Sequence, residues 1–214
     1  IRDNRAGGGT GSGPQQKYGT GGGVSIAGGA LKMWNTLVAD NVGKETDYWL
    51  PTVAPSDGFY IGGGTASLVG CTVAYNNKGG IRHNAGTVGL TNTIVWGHTD
   101  FDVTGTVTLA FCDIGVVAGT NVTTNNCISA DPLFVDTNYY HLQSRRGNYV
   151  GGYFSGGSWG ASPSNSPCID AGDTNSPYAL EPWPNGKRIN MGAYGNTPVA
   201  SMSPVAAGAV LTIR

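Results

Sequence analysis

The carboxylates toward the C-terminal end of the chain are the first residues whose types could hold a ligand. Asp170, Asp173 and Glu181, with Asn190 after them, supply the oxygen donors that a hard cation such as Ca²⁺ requires. Their spacing matches no calcium-binding loop, so the simpler expectation is that Asp170 and Asp173 cap turns and pair with Arg188. A second group is Asp57, Arg82, His83, Asp100 and Asp102. Cleaving a polysaccharide needs two carboxylates, or a carboxylate and a basic group, converging on one bond. Arg82 and Asp102 are expected to stand side by side on neighbouring strands as a surface ion pair, which contributes little, while His83 faces inward or sits at a bend. On that balance no catalytic residue is assigned. The third group is aromatic: Trp34, Tyr48, Trp49 and Tyr60 join an apolar face to a polar edge and could stack on sugar rings. The competing expectation is that Trp49 pins its own loop against Trp34.

A repeat must position these residues. Val24-Ser25-Ile26, Phe59-Tyr60-Ile61, Ile81-Arg82-His83 and Phe101-Asp102-Val103 align, as do the stretches that follow each of them, Met33–Leu37, Val69–Val73, Leu90–Ile94 and Ala110–Ile114. A fixed period of about twenty residues with alternating residue types is the signature of a solenoid. Hydrophobic residues recur at period two with no long helical stripe, which argues for strands. The expected fold is therefore all-β: a right-handed parallel β-helix with coils of about twenty residues. The inward columns are read as Met33/Val69/Leu90/Ala110, Asn35/Cys71/Asn92/Cys112 and Leu37/Val73/Ile94/Ile114. Thr36/Thr72/Thr93/Asp113 reads as a ladder facing solvent, and Asn41, Asn77 and His98 as equivalent turn positions. Asn35 to Cys71 spans 36 residues against 21 and 20 for the next two intervals. The surplus, near 42–57, carries two aromatics with Pro51 and Pro55 and is expected to be a projecting loop, since Pro is a poor ladder residue. A Gly/Ser-rich insert with Tyr149, Tyr153, Phe154 and Trp159 is expected to cover the open end of the last rung, because unpaired rungs template aggregation.

The 214 residues include 36 Gly and 11 Pro, and their formal net charge is −1. There is no Lys/Arg stripe of the kind nucleic-acid binding needs, and no apolar run near the length of a membrane span. Gly/Asn/Thr richness and low Lys content suggest secretion, and the chain reads as a segment of a longer precursor. Of the four cysteines, Cys71 and Cys112 fall in one column two rungs apart, about 9.6 Å, too far for a disulfide. Cys127 and Cys168 are then the more plausible pair.

The C-terminal third reads Ala130-Asp131-Pro132-Leu133-Phe134-Val135-Asp136, Tyr140-His141-Leu142-Gln143-Ser144, Ser166-Pro167-Cys168-Ile169-Asp170-Ala171-Gly172-Asp173 and Pro184-Asn185-Gly186-Lys187-Arg188-Ile189-Asn190-Met191-Gly192-Ala193-Tyr194-Gly195. This run, over roughly residues 127 to 200, resembles the end of parallel β-helix proteins of the choice-of-anchor Q type. Those are exported or surface proteins of environmental bacteria, notably planctomycete-like lineages. Position 196 is Asn where such proteins usually carry a second Gly. The repeat and the resemblance together divide the chain into β-helix coils over 1–146 with the loop insertion near 42–57, an aromatic, Gly-rich insert and irregular cap over 147–200, and a tail or further domain over 201–214. The resemblance also implies an extracellular or cell-surface location and a structural or adhesive role, in contact with carbohydrate or self-assembling as an oligomer or filament. The expectation from another class is a polysaccharide lyase or glycoside hydrolase fragment, since β-helices commonly host such enzymes.

Overall fold

The computed structural model describes residues 1–4, 22–42, 57–119 and 121–204. Every regular element in them is a strand. The first coil holds β1 (Val24–Ile26), β2 (Ala30–Trp34) and β3 (Leu37–Ala39). The second holds β4 (Asp57–Ile61), β5 (Thr65–Val69) and β6 (Thr72–Ala74). The third holds β7 (Gly79–His83), β8 (Thr87–Thr91) and β9 (Ile94–Trp96). The fourth holds β10 (Phe101–Thr104), β11 (Val107–Ala110) and β12 (Asp113–Ile114). A fifth coil, β13 (Val117–Ala118) and β14 (Val122–Asn125), ends at a parallel bridge from Asp113 to Ile128. Equivalent strands stack in parallel, giving sheets β1-β4-β7-β10-β13, β2-β5-β8-β11-β14 and β3-β6-β9-β12. The chain is a parallel β-helix, and such crossovers take the right-handed sense.

One core cluster draws on all three sheets, with Phe59, Ile61, Ile81 and Val103 from the first, Leu68, Leu90 and Leu109 from the second, and Val38, Val73 and Val95 from the third. Each fully buried side chain of this size contributes roughly 1.5–3 kcal/mol. The corner between the first two sheets is a column of glycines. Gly64, Gly86 and Gly105 have φ of 81°, 97° and 95°. A Cβ at any of them would collide with a backbone carbonyl of the preceding rung, from Gly29, Gly64 and His83 respectively. Only glycine allows the rungs to close at this bend.

Several columns differ from the sequence reading. Met33 pairs with Leu68, not Val69, and Leu90 with Leu109, not Ala110. Val69 and Ala110 stand instead in the Trp34 column. The bend after these strands aligns Asn35, Gly70, Asn92 and Phe111, all with positive φ. The cysteines therefore stack with Thr36 and Thr93 rather than with asparagines. Leu37, Thr72, Ile94 and Asp113 form the next column, and Val38, Val73, Val95 and Ile114 the one after. In the first sheet, Arg82 pairs with Thr104, not Asp102, because β10 is displaced by two residues. At the third corner Asn76, rather than Asn77, stands with Asn41 and His98.

The Thr72/Asp113 column does not face solvent. Thr72 and Asp113 are buried, because residues 130–204 run as an irregular layer along the outer face of the third sheet. Leu37, Ala39 and Ala74 pack there with Tyr140, Tyr149, Ala193, Tyr194 and Val199. Ile94 packs with Leu142, Cys168, Ile169 and Met191. The contacts reach every coil from the first to the fourth. Tyr140 donates its hydroxyl to both oxygens of Asp40 at 2.9 Å, and Asp40 also pairs with Arg2 at 2.8 Å. Asn35 Nδ2 donates to Ala193 O and Gly195 O. Ala193 N donates to Thr72 Oγ1, and Cys168 Sγ donates to Asp113 Oδ2 at 3.0 Å. Asn35 and Asn92 thus face this layer rather than the helix interior, and the left-handed bend they occupy is one Asn tolerates.

The aromatic insert also lies elsewhere than expected. It forms an antiparallel hairpin of β15 (Asn148–Val150) and β16 (Ser158–Gly160). Its tip meets the first coil, not the last: Arg2 Nη1 donates to Tyr153 Oη at 3.3 Å, and Tyr153 and Phe154 line a cleft with Ile1, Asn35 and Leu37. Tyr48, Trp49, most of the 42–57 insertion and the tail from 205 lie outside the described residues.

Candidate functional site

The polar residues nearest to a catalytic arrangement sit at the corner between the third and first sheets. His98 Nδ1 lies 2.5 Å from Asp102 Oδ1, and both side chains are buried. Asp102 Oδ2 accepts from Val116 N at 2.5 Å. On the other side, Asn76 Nδ2 lies 3.1 Å from His98 Nε2. Asn76 Oδ1 accepts from Asn41 N and Nδ2, and Asn41 Oδ1 accepts from Asn4 N and Nδ2. The result is a continuous hydrogen-bonded ladder of Asn4, Asn41, Asn76, His98 and Asp102, one rung after another. Each amide keeps one direction along it, so Nε2 of His98 accepts and Nδ1–H donates to the carboxylate. A histidine–aspartate pair resembles a general-base dyad, but this one has protein on every side and no path for a substrate. It closes the corner by satisfying polar groups that burial would otherwise penalise.

Among the described side chains, the other hydrolytic candidates are held by separate partners or lie on the surface. Arg82 lays its guanidinium over the Phe101 ring, 4.5 Å from the centroid, instead of pairing with Asp102. His83 is half-buried and accepts at Nδ1 from Thr106 N. Asp100 is exposed on the following turn. Asp57 begins β4, and its side chain lies outside what is described.

The proposed cation ligands are likewise separated by their partners. Asp170 accepts from Ser203 Oγ at 2.8 Å, and Asp173 caps its own turn through Asn175 N. Glu181 Oε1 accepts from Asn190 N and Asn196 N, both at 2.8 Å. Its Oε2 is buried without a hydrogen-bond partner, and burial pushes this carboxyl up to about 7. Arg188 bonds the carbonyls of Gly172 and Ala171 rather than a carboxylate. Among the described residues no group of three His, Cys, Asp or Glu side chains is placed to hold a metal. Asp113 is a buried carboxyl of a different kind: burial raises it to about 6, and the Cys168 thiol donates to it.

Trp34 and Tyr60 point outward from different sheets, Trp34 from the second and Tyr60 from the first, so the two do not form one platform. Trp34 is 59% exposed. It heads the outer face of the second sheet, whose two five-rung columns are Lys32/Ser67/Gly89/Thr108/Thr123 and Trp34/Val69/Thr91/Ala110/Asn125, beside a column that includes Ala30/Thr65/Thr87. This face has five rungs, is small-residued and carries no carboxylate. Over five rungs it runs for about 19 Å. Sequence reading missed it because the true partners of Ser67, Gly89 and Thr108 emerge only once the register is fixed.

All four cysteines are free thiols. Cys127 and Cys168 lie on opposite sides of the third-sheet wall. Cys127 packs against the interior cluster with Cys112, whereas Cys168 sits in the cluster under the C-terminal layer. The expected Cys127–Cys168 pairing is therefore replaced by the adjacency of Cys112 and Cys127 on successive rungs. No helix among the described residues is long and apolar enough to cross a membrane. Compared with protein-family models, curated proteins and solved structures, the chain matches none.

Proposed function

We propose that this chain is a non-catalytic structural and adhesive segment of an exported bacterial surface or extracellular-matrix protein, of the choice-of-anchor Q kind that its C-terminal motifs resemble. The observation that carries the reading is the outer face of the second sheet. A strip of mostly small residues with one exposed tryptophan offers hydroxyls and a stacking ring to an extended polymer, and its one ionisable side chain, Lys32, has no carboxylate on the face to work with in cleaving it. Neutral polysaccharide is the partner this chemistry fits, with Trp34 as the contact residue to test first. The buried His98–Asp102 pair and the dispersed Asp and Arg residues weigh against the alternative, a β-helix lyase or hydrolase.

The test is affinity electrophoresis and product analysis on a panel of neutral and acidic polysaccharides. Retardation by a neutral polymer, weakened in Trp34→Ala with an unchanged unfolding midpoint, is the expected result. Release of reducing ends or unsaturated sugars from any polymer would overturn the reading, and retardation unaffected by Trp34→Ala would remove this face from it.

A further inference from the structure

We propose that Cys112 and Cys127 form an inter-rung disulfide that clamps the fifth coil to the fourth when the protein meets a low-molecular-weight disulfide.

The register puts the two residues directly over one another. Ile128 N donates to Cys112 O at 2.8 Å, and Asp113, next to Cys112, bridges in parallel to Ile128, next to Cys127. Neighbouring parallel rungs lie roughly 4.8 Å apart, inside the range of about 4.4–6.8 Å between Cα atoms that a disulfide spans. Each thiol has the carbonyl two residues back as an acceptor, Ala110 O at 3.3 Å and Asn125 O at 3.5 Å, and the other thiol beside it. The same column holds Thr36, Cys71 and Thr93, so Cys71 is separated from Cys112 by a whole rung and takes no part.

The two thiols are unequal in the way stepwise exchange requires. Cys112 is fully buried, and Cys127 is only half-buried at the edge. The neighbouring Cys112 thiol lowers Cys127 to about 6, whereas burial raises Cys112. Cys127 is thus the attacking thiolate and Cys112 the resolving thiol. In the first step the Cys127 sulfur bonds one sulfur of the small disulfide RSSR, whose S–S bond breaks and releases RS⁻. In the second the Cys112 sulfur attacks the Cys127 sulfur and expels the second thiolate, which takes up the Cys112 proton and leaves as RSH. Two protein thiols are oxidised to one disulfide, and one RSSR is reduced to two RSH.

The location gives the bond a use. Among the described residues β14 is the terminal strand of its sheet, paired on one side only, and β13 is two residues long. An edge this short is the place where a solenoid frays and where a neighbouring chain can add. A covalent tie from Cys127 to the buried Cys112 holds that edge to the body.

The test is thiol counting and peptide mapping of the folded protein after exposure to oxidised glutathione, with alkylation in denaturant. The expected result is a fall from four free thiols, the total in the sequence, to two, with Cys112 and Cys127 linked and no glutathione retained. Cys112→Ser should accumulate a glutathione adduct at Cys127, and Cys127→Ser should take up none. The wild-type protein alone decides the matter if the variants fold poorly. A stable adduct on wild-type Cys127, a Cys127–Cys168 link, or four thiols surviving across the full range of glutathione ratios would each overturn the proposal.

Discussion

The glycine column at the corner of the first two sheets allows the stacked register to be tested with two substitutions three residues apart. Gly86 has φ of 97°, and a Cβ built there runs into Gly64 O. Holding a side chain at that φ costs about 1–3 kcal/mol. The collision is with backbone, which cannot swing away, so relieving it means parting two rungs at a further cost of about 1–3 kcal/mol. Gly89 lies within β8 on the outer face, where an added Cβ meets nothing within 4 Å. Alanine there narrows the unfolded ensemble and should stabilise by about 0.4–1 kcal/mol. In equilibrium urea unfolding, followed by far-UV circular dichroism and tryptophan fluorescence, Gly86→Ala should lose about 3 kcal/mol. With a slope of about 2–3 kcal/mol per M, that is a midpoint lower by about 1 M. Gly89→Ala should sit at or above the wild-type midpoint. A Gly86→Ala protein as stable as wild type, or a Gly89→Ala protein less stable than Gly86→Ala, would refute the corner geometry.

Glu181 predicts a pH dependence. Its folded-state value of about 7 lies above the ordinary glutamate value of 4.5, so the folded protein holds this proton more tightly than the unfolded chain. The associated stability is full below about pH 4.5 and is lost as pH rises toward 7, by up to ~3 kcal/mol. Glu181→Gln keeps an acceptor for Asn190 N and Asn196 N and removes the buried charge, so urea midpoints measured from pH 4 to 8 should flatten and rise at pH 8; an unchanged profile would contradict this. His98→Ala should cost about 2 kcal/mol or more, because it strips partners from Asp102 and Asn76 in a buried site, whereas Asp100→Ala on the surface should stay within about 0.5 kcal/mol. Nitrogen NMR of His98 should show the proton on Nδ1, and a proton on Nε2 would reverse the ladder's direction.

The repeat made the solenoid legible because alternation within each unit survives any small misalignment. That same robustness hid the pairing. Displacing β10 by two residues leaves inward positions inward, so the pattern could not tell that Arg82 stands beside Thr104 rather than Asp102. A one-residue slip does exchange faces. It entered where Gly70 takes the bend position that Asn35 and Asn92 occupy elsewhere, since nothing in the residue types equates Gly with Asn except a shared tolerance of positive φ. Thr72 and Asp113 mark a deeper limit. A polar residue on the outside of a coil looks the same in sequence whether it meets water or a second layer, and here Thr72 accepts from Ala193, 121 residues away. Trp34 was legible singly, as an exposed ring, but that it and Tyr60 belong to different sheets depended on the coil length. The carboxylates at 170, 173 and 181 were read as a set from their nearness in sequence, whereas Asp170 is held by Ser203, Asp173 caps its own turn and Glu181 binds the backbone of Asn190 and Asn196.

The layer laid along the third sheet imposes an order of events on folding. Asn35 of the first coil receives its partners from residues 158 and 160 positions later, and Asp40 receives Tyr140 after a further 100. Emerging from a ribosome, the earliest coil must wait with its apolar outer face uncovered until residues 130–204 have been made. Coils can stack on one another as they appear, but the wall they present is covered only after the coils themselves. A chain released short of Tyr194 would carry a stacked helix with one bare side, a species prone to capture by chaperones or by its own kind. Residues 130–204 thus commit the coils they cover, and translation speed through them sets how long that side stays open.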